Sequence, residues 1–153
     1  MNKIMTKRIL IMGLPGSGKT ILASDLVGRL MYKTPVAWFN ADEVRQIYND
    51  WDFSAEGRVR QAYRMRSLAD SEIAKGKTVI CDFVAPTQEI RDIFNADFTV
   101  WVDTINRGRY EDTNKLFESP KVYDIQVTEQ DSTYWSDVIA DRLYENHKSS
   151  IYR

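Results

Sequence analysis

The chain has 153 residues, 43% of them hydrophobic, which is enough for one domain with a proper core and too few for two. Its 21 Lys and Arg against 22 Asp and Glu leave a net charge of −1, which gives no global attraction to nucleic acid or an anionic membrane. No apolar run is long enough to span a bilayer, and a single cysteine, Cys81, excludes an intramolecular disulfide and fits a reducing cytoplasm.

Met1 to Met5 run straight into the first expected strand, so no secretory signal is expected. Lys7 to Met12 is short and mostly apolar, the form of a buried parallel strand. It enters Gly13-Leu14-Pro15-Gly16-Ser17-Gly18-Lys19-Thr20, which matches the phosphate-binding pattern G-x-x-x-x-G-K-[ST]. Leu22, Leu26 and Leu30 then recur at helical spacing. Strand, glycine turn and helix together are the context in which this pattern binds a nucleoside triphosphate. The backbone amides from Gly16 to Thr20 and the helix dipole face the phosphates. Lys19 reaches the β- and γ-phosphates of ATP, and the Thr20 hydroxyl is placed to hold Mg²⁺.

Thr34 to Phe39 reads as a second strand, and Glu43 to Tyr48 as a short helix. Ser54 is a good N-cap for a helix from Ala55 to about Lys75, although Gly57 stands where a capping box has Glu or Gln. Val59, Ala62, Ala69 and Ile73 form its expected apolar stripe, and Gly76 ends it. Thr78 to Phe83 is a third strand in which Cys81 is expected as a small core residue. Pro86-Thr87 opens a helix through Phe94, and Phe98 to Asp103 is a fourth strand. A polar segment, 104–119, precedes an edge strand from Val122 to Thr128 and a last helix with Trp135, Val138, Ile139 and Leu143 on one face. His147, near the end of that helix, is expected to be solvated or capping.

Strands alternate with helices throughout, so the expected fold is α/β: about five parallel strands between two helical layers, as one domain over residues 1–153. Ligands of such sheets lie past the carboxyl ends of the strands. Residues 13–20, 40–45, 82–87 and 103–109 are therefore expected around one crevice.

The same crevice contains candidates for a second, acceptor site. Asp42 stands at a strand end, where a carboxylate can orient a hydroxyl or bind Mg²⁺ through water; alternatively it only caps the next helix. Arg45, one turn on, suits an anionic ligand. Phe53 can stack on a base beside the cation of Arg58, with Gln61 three residues on along the same helix face. Arg60 and Arg64 are expected on a solvated face.

The run Phe39-Asn40-Ala41-Asp42-Glu43-Val44-Arg45, then Asp52-Phe53-Ser54 with Arg58, then Val79 to Thr87, resembles the adenylylsulfate kinases over roughly residues 6 to 128. That family belongs to the P-loop NTPase-type kinases and phosphorylates the ribose 3′-hydroxyl of adenosine 5′-phosphosulfate with MgATP. The resemblance implies that Asp42 orients or deprotonates the hydroxyl, Arg45 and Arg58 hold the phosphosulfate, and Phe53 stacks on the acceptor adenine. Gln61 stands where the family commonly has Asn, and Pro86 matches a proline of the family's substrate-side segment. Asn40 replaces a usual Asp. The family's long lid shrinks here to about 104–119, which still offers Arg107, Arg109 and Lys115 to the phosphoryl charge. The resemblance allows a homodimer, although no apolar stripe specifies one. Two other readings keep the phosphate loop: a kinase for a polynucleotide 5′-hydroxyl or another nucleotide, and a nucleotide-dependent switch without transfer. Near-neutral charge argues against the first, and the lack of an Asn-Lys-x-Asp guanine-reading segment against a guanine-dependent form of the second.

Overall fold

The computed structural model describes residues 7–108 and 110–152, with side chains described as far as Tyr144. The expectations placed on Met1 to Met5, on Arg109 and on the His147 side chain lie outside these residues. The elements, in order, are β1 (Arg8–Gly13), α1 (Lys19–Leu30), β2 (Val36–Asn40), α2 (Ala41–Tyr48), α3 (Ala55–Ile73), β3 (Thr78–Asp82), α4 (Gln88–Phe94), β4 (Phe98–Val102), α5 (Glu111–Leu116), β5 (Ile125–Val127) and α6 (Ser132–Tyr152).

The strands form one parallel sheet in the order β2-β3-β1-β4-β5. Alternate side chains of β1 explain the two layers. Ile9 and Ile11 point to one face and pack with Leu22, Leu26 and Leu30 of α1 and with Ile139 and Leu143 of α6. Leu10 and Met12 point to the other and pack with Ala62, Met65 and Ala69 of α3 and Phe94 of α4. Both faces being covered, β3 is buried throughout and Cys81 is the core residue expected, with burial pushing its thiol pKa upward.

Three details differ from the expected elements. The apolar stripe of α3 runs through Met65, while Val59 is only half-buried. Pro35 precedes β2 and contributes only its carbonyl, which accepts from Thr78 N–H at 2.9 Å. The polar segment after β4, expected as a short lid with no element assigned to it, contains a helix of its own, α5.

The chain crosses from β1 to β2, returns to β3 beside β1, and then passes to β4 on the other side. The strand order therefore diverges at the carboxyl end of β1, where open α/β sheets leave a crevice. Among the described residues no helix is long and apolar enough to cross a membrane.

Candidate active site

At that crevice the turn after β1 is built to face an anion. Gly16 and Gly18 have φ of +86° and +104°, the left-handed region in which glycine carries no Cβ penalty. Gly18 caps α1 without any side-chain hydrogen bond, so the first N–H groups of that helix are directed at the crevice. Lys19 is buried and folds back so that Nζ donates to the Leu14 carbonyl at 3.0 Å. Pro15, Gly16, Gly18, Lys19 and Thr20 line a cleft of about 750 Å³. Ser17 is fully buried beneath the loop, and its carbonyl accepts from the Thr104 hydroxyl at 2.6 Å.

Asp82, at the end of β3, was not singled out from the sequence, yet it is the carboxylate that touches Thr20. Thr20 Oγ1 donates to Asp82 Oδ1 at 3.2 Å, and Asn40 Nδ2 donates to the same oxygen at 2.9 Å. Trp38 Nε1 donates to Oδ2 at 2.6 Å. Burial raises the Asp82 pKa, opposed by the Trp38 hydrogen bond, the charge of Lys19 and the bonds from Asn40 and Thr20. An acid ending an otherwise apolar strand was the available signal.

Asn40 also decides the role of Asp42. Its Oδ1 accepts from Glu43 N–H at 3.0 Å, so Asn40 is the cap of α2. Asp42 is left exposed in the first turn, where it lines the cleft instead of serving as the cap.

The opposite wall carries the acceptor candidates. Arg45 is 4% exposed; its Nη1 donates to the carbonyls of Asp50 at 3.0 Å and Asp52 at 3.2 Å. Its guanidinium carbon lies 4.3 Å from the centre of the Phe53 ring, and that of Arg58 lies 5.6 Å away. Arg58 Nε holds the Phe53 carbonyl at 2.9 Å. Phe53 is 50% exposed and lines the cleft, so it is not a core residue. Burial lowers the pKa of both arginines from the ordinary value, and Asp112 partly offsets this at Arg58. Gln61 is buried, its Nε2 donating to the Ala41 carbonyl at 3.1 Å, which ties α3 to the start of α2.

Pro86 and Ala85 are buried in the cleft wall beside half-buried Val84. Arg91 secures that wall, its Nε donating to the Ala85 carbonyl at 2.8 Å and its Nη2 to Pro86 at 3.2 Å. Sequence reasoning passed over Arg91, which reads as an ordinary helix cation.

Segment 103–108 does border the phosphate loop, through the Thr104 hydroxyl on the Ser17 carbonyl and Gly108 beside Pro15, but its charged side chains turn away from the cleft. Asp103 accepts from Gln126 at 2.9 Å, and Arg107 pairs with Glu111 on the exposed side. Neither they nor exposed Lys115 line the cleft. Tyr110, Asp112 and Thr113 do so instead. The reason is a fold-back: Gly108 N–H donates to Asn114 Oδ1 at 2.7 Å, and Asn114 Nδ2 returns a bond to the Gly108 carbonyl at 3.1 Å. Arg64, 15% exposed, corrects the expectation of a solvated face, whereas Arg60 stays exposed as expected; both pair with Asp50.

Residues 5–134 match the model of the adenylylsulphate kinase family. The chain belongs to the adenylylsulphate kinase family. A probable adenylyl-sulfate kinase of Bacillus subtilis (strain 168) is 26% identical over 149 residues, which cover 91% of this chain and 75% of that protein. One from Aeropyrum pernix is 34% identical over 85 residues, 53% of this chain and 45% of the other. Among solved structures, the Mycobacterium tuberculosis APS kinase CysC, in complex with AMPPNP and APS, superposes with a TM-score of 0.75 at 20% identity, covering 92% of this chain and 98% of that one. A shikimate kinase from Aquifex aeolicus does so at 0.64 and 19%, with the same coverage, so the three-layer fold is shared well beyond this family.

Proposed function

We propose that this adenylylsulphate kinase family member transfers the γ-phosphoryl group of ATP to the ribose 3′-hydroxyl of adenosine 5′-phosphosulfate. One observation carries the reading: a single cleft has main-chain amides and Lys19 on one wall, and a Phe53 ring flanked by Arg45 and Arg58 on the other, with the Asp42 carboxylate free of any capping duty. Two anionic nucleotides can lie end to end there.

The residues fit a magnesium ion. Among the described residues no group of three His, Cys, Asp or Glu side chains surrounds one point. Few protein ligands and several phosphate or water oxygens is the arrangement Mg²⁺ prefers. Thr20 and Asp82 would hold it, with Asp42 near by; when bound it neutralises charge between the terminal phosphates.

The chain's own groups then divide the work. The loop amides from Gly16 to Thr20 and the Lys19 ammonium face the charge that develops on the transferring group. Arg45 and Arg58 hold the acceptor's phosphosulfate while Phe53 stacks on its adenine. Asp42 aligns the 3′-hydroxyl and accepts its proton as the oxygen bonds to the γ-phosphorus and the bond to the β-γ bridging oxygen breaks. The products are ADP and 3′-phosphoadenosine 5′-phosphosulfate. Arg107 and Lys115 are assigned no part in this scheme; Tyr110, the cap of α5, and Asp112 in its first turn border the cleft instead.

The test is to offer MgATP with a panel of acceptors, including adenosine 5′-phosphosulfate, an oligonucleotide 5′-hydroxyl and shikimate, and to identify the product by mass. A product heavier than adenosine 5′-phosphosulfate by one phosphoryl group is expected. Phosphorylation of another acceptor alone would replace this reading.

A further inference from the structure

Between α2 and α3 the chain makes a five-residue connection, Asp50-Trp51-Asp52-Phe53-Ser54, after the left-handed C-cap Asn49. Most of its polar groups are tied down. Asp50 N–H bonds the Arg45 carbonyl at 3.0 Å, and Asp52 N–H bonds Asp50 Oδ1 at 3.2 Å. Ser54 N–H bonds Asp52 Oδ1 at 2.9 Å, and Ser54 Oγ caps α3 by accepting from Gly57 N–H at 3.1 Å. Two cations on the next turns of α3 close the unit from outside. Arg60 reaches Asp50 through Nε at 2.8 Å and Asp52 through Nη2 at 3.0 Å. Arg64 reaches Asp50 through Nη2 at 2.9 Å and stacks its guanidinium 4.4 Å from the Tyr48 ring centre. The Asp50 side chain is only 14% exposed between them.

We propose that Arg60 and Arg64, neither of which lines the cleft, are positioning residues for the acceptor: by gripping Asp50 they fix the two loop carbonyls that aim Arg45 and the turn that presents Phe53. The inference rests on the acceptor reading of Arg45 and Phe53 given above. Arg45 is the link. Its Nη1 is spent on the Asp50 and Asp52 carbonyls, whereas its Nε and Nη2 make no hydrogen bond among the described residues and are left for a ligand. A buried guanidinium half-anchored in this way points where the carbonyls place it. Arg64 adds a second route, because its Nη1 donates to Gln61 Oε1 at 2.8 Å while Gln61 holds the Ala41 carbonyl beside Asp42. The clamp touches only the acceptor wall; no bond runs from it to residues 13–20.

That separation makes the inference testable on the full chain. Arg60→Ala, Arg64→Ala and Asp50→Asn are each predicted to raise KM for adenosine 5′-phosphosulfate on the order of tenfold, the size of effect expected for coupled neighbours. KM for ATP should stay within about twofold of wild type. Arg60→Lys, which keeps a charge near Asp50, should restore part of the loss, and Arg60→Ala combined with Asp50→Asn should cost no more than either alone. A merely structural role predicts a different pattern: both KM values rise together in step with a lowered melting temperature. That pattern, or an unchanged acceptor KM in the Arg60→Ala/Arg64→Ala double variant, overturns the proposal. Equilibrium titration with adenosine 5′-phosphosulfate and no ATP separates this inference from the reaction assignment. If wild type binds that nucleotide without phosphorylating it, the reaction assignment fails and the clamp is judged by the same fold-changes in Kd. If wild type does not bind it at all, both fall.

Discussion

The indole N–H of Trp38 donates to Oδ2 of Asp82 at 2.6 Å, from one strand of the sheet to its parallel neighbour, on a carboxylate that is 2% exposed. Burial alone would favour a neutral acid there; Trp38, Asn40 and Thr20 together supply the donors that favour the anion. Trp38→Phe removes one donor and keeps an aromatic ring. We expect it to weaken Mg²⁺-dependent ATP binding by about three- to tenfold, the net worth of one ordinary hydrogen bond. Titrating ATP at several Mg²⁺ concentrations checks this; unchanged binding at low Mg²⁺ would separate Trp38 from the cation site.

Lys19 is the one cation placed on the phosphate loop itself, and it is held in reach of the cleft by the Leu14 carbonyl. Lys19→Ala should lower turnover on the order of a hundred- to a thousandfold, as loss of a preorganised charge does. Steady-state ADP release measures it, and a variant with wild-type turnover would refute the proposed mechanism.

Asp42 makes a different prediction because it lines the cleft without capping α2 and is proposed as the base. Asp42→Asn preserves shape and removes the base. Turnover should fall about a hundredfold or more, while ATP affinity is retained. A large loss of ATP affinity with intact turnover would assign Asp42 to the phosphate side instead.

Gly57 occupies a helix position where alanine ordinarily stabilises by about 1 kcal/mol. A Cβ there would overlap the Asp52 carbonyl oxygen, which is backbone and already bonded to Arg45. Gly57→Ala is therefore expected to destabilise by about 1–3 kcal/mol through overpacking. Urea unfolding gives the sign directly, and a stabilised variant would contradict the close seating of that carbonyl on α3.

Asp50 and Asp52 make stability depend on acid. Hydrogen bonds from Arg60 and Arg64 hold the Asp50 carboxyl far below its ordinary 3.8, and Ser54 and Arg60 hold Asp52 at about 2. A depressed folded pKa gives stability that is fully present above the unfolded value and disappears as pH falls through the folded one. The gap in unfolding midpoint between wild type and Asp50→Asn should be constant above about pH 5 and shrink steadily toward about pH 2. A gap that widened on acidification would reverse the assignment.

The phosphate loop, the core helices and the Ser54 cap were legible in the sequence because each depends on a short contiguous run. Eight residues from Gly13 to Thr20 make the turn and the anion site, and Leu22, Leu26 and Leu30 repeat at the helical period. The acceptor candidates Asp42, Arg45, Phe53, Arg58 and Gln61 were legible for a related reason, since they lie within 20 residues of one another. The three-dimensional structure brings all five to the same cleft.

Asp82 was expected at the crevice as part of 82–87, but its partners were decided by sheet register. The pairing of β2 with β3 sets Asn40 opposite Asp82, so donors from residues 20, 38 and 40 converge on a carboxylate at least 42 positions away. Nothing local marks that meeting. Arg60 and Arg64 share a surface period with any solvated pair, and only the path of the connection after Asn49 places Asp50 between them. The fold-back of Gly108 onto Asn114 turned Arg107 outward and left Tyr110 and Asp112 at the cleft. Spacing along the chain determined which backbone could grip phosphate; contacts between distant segments determined which side chains stand beside it, because a side chain's charge and aim depend on neighbours that sequence order does not bring together.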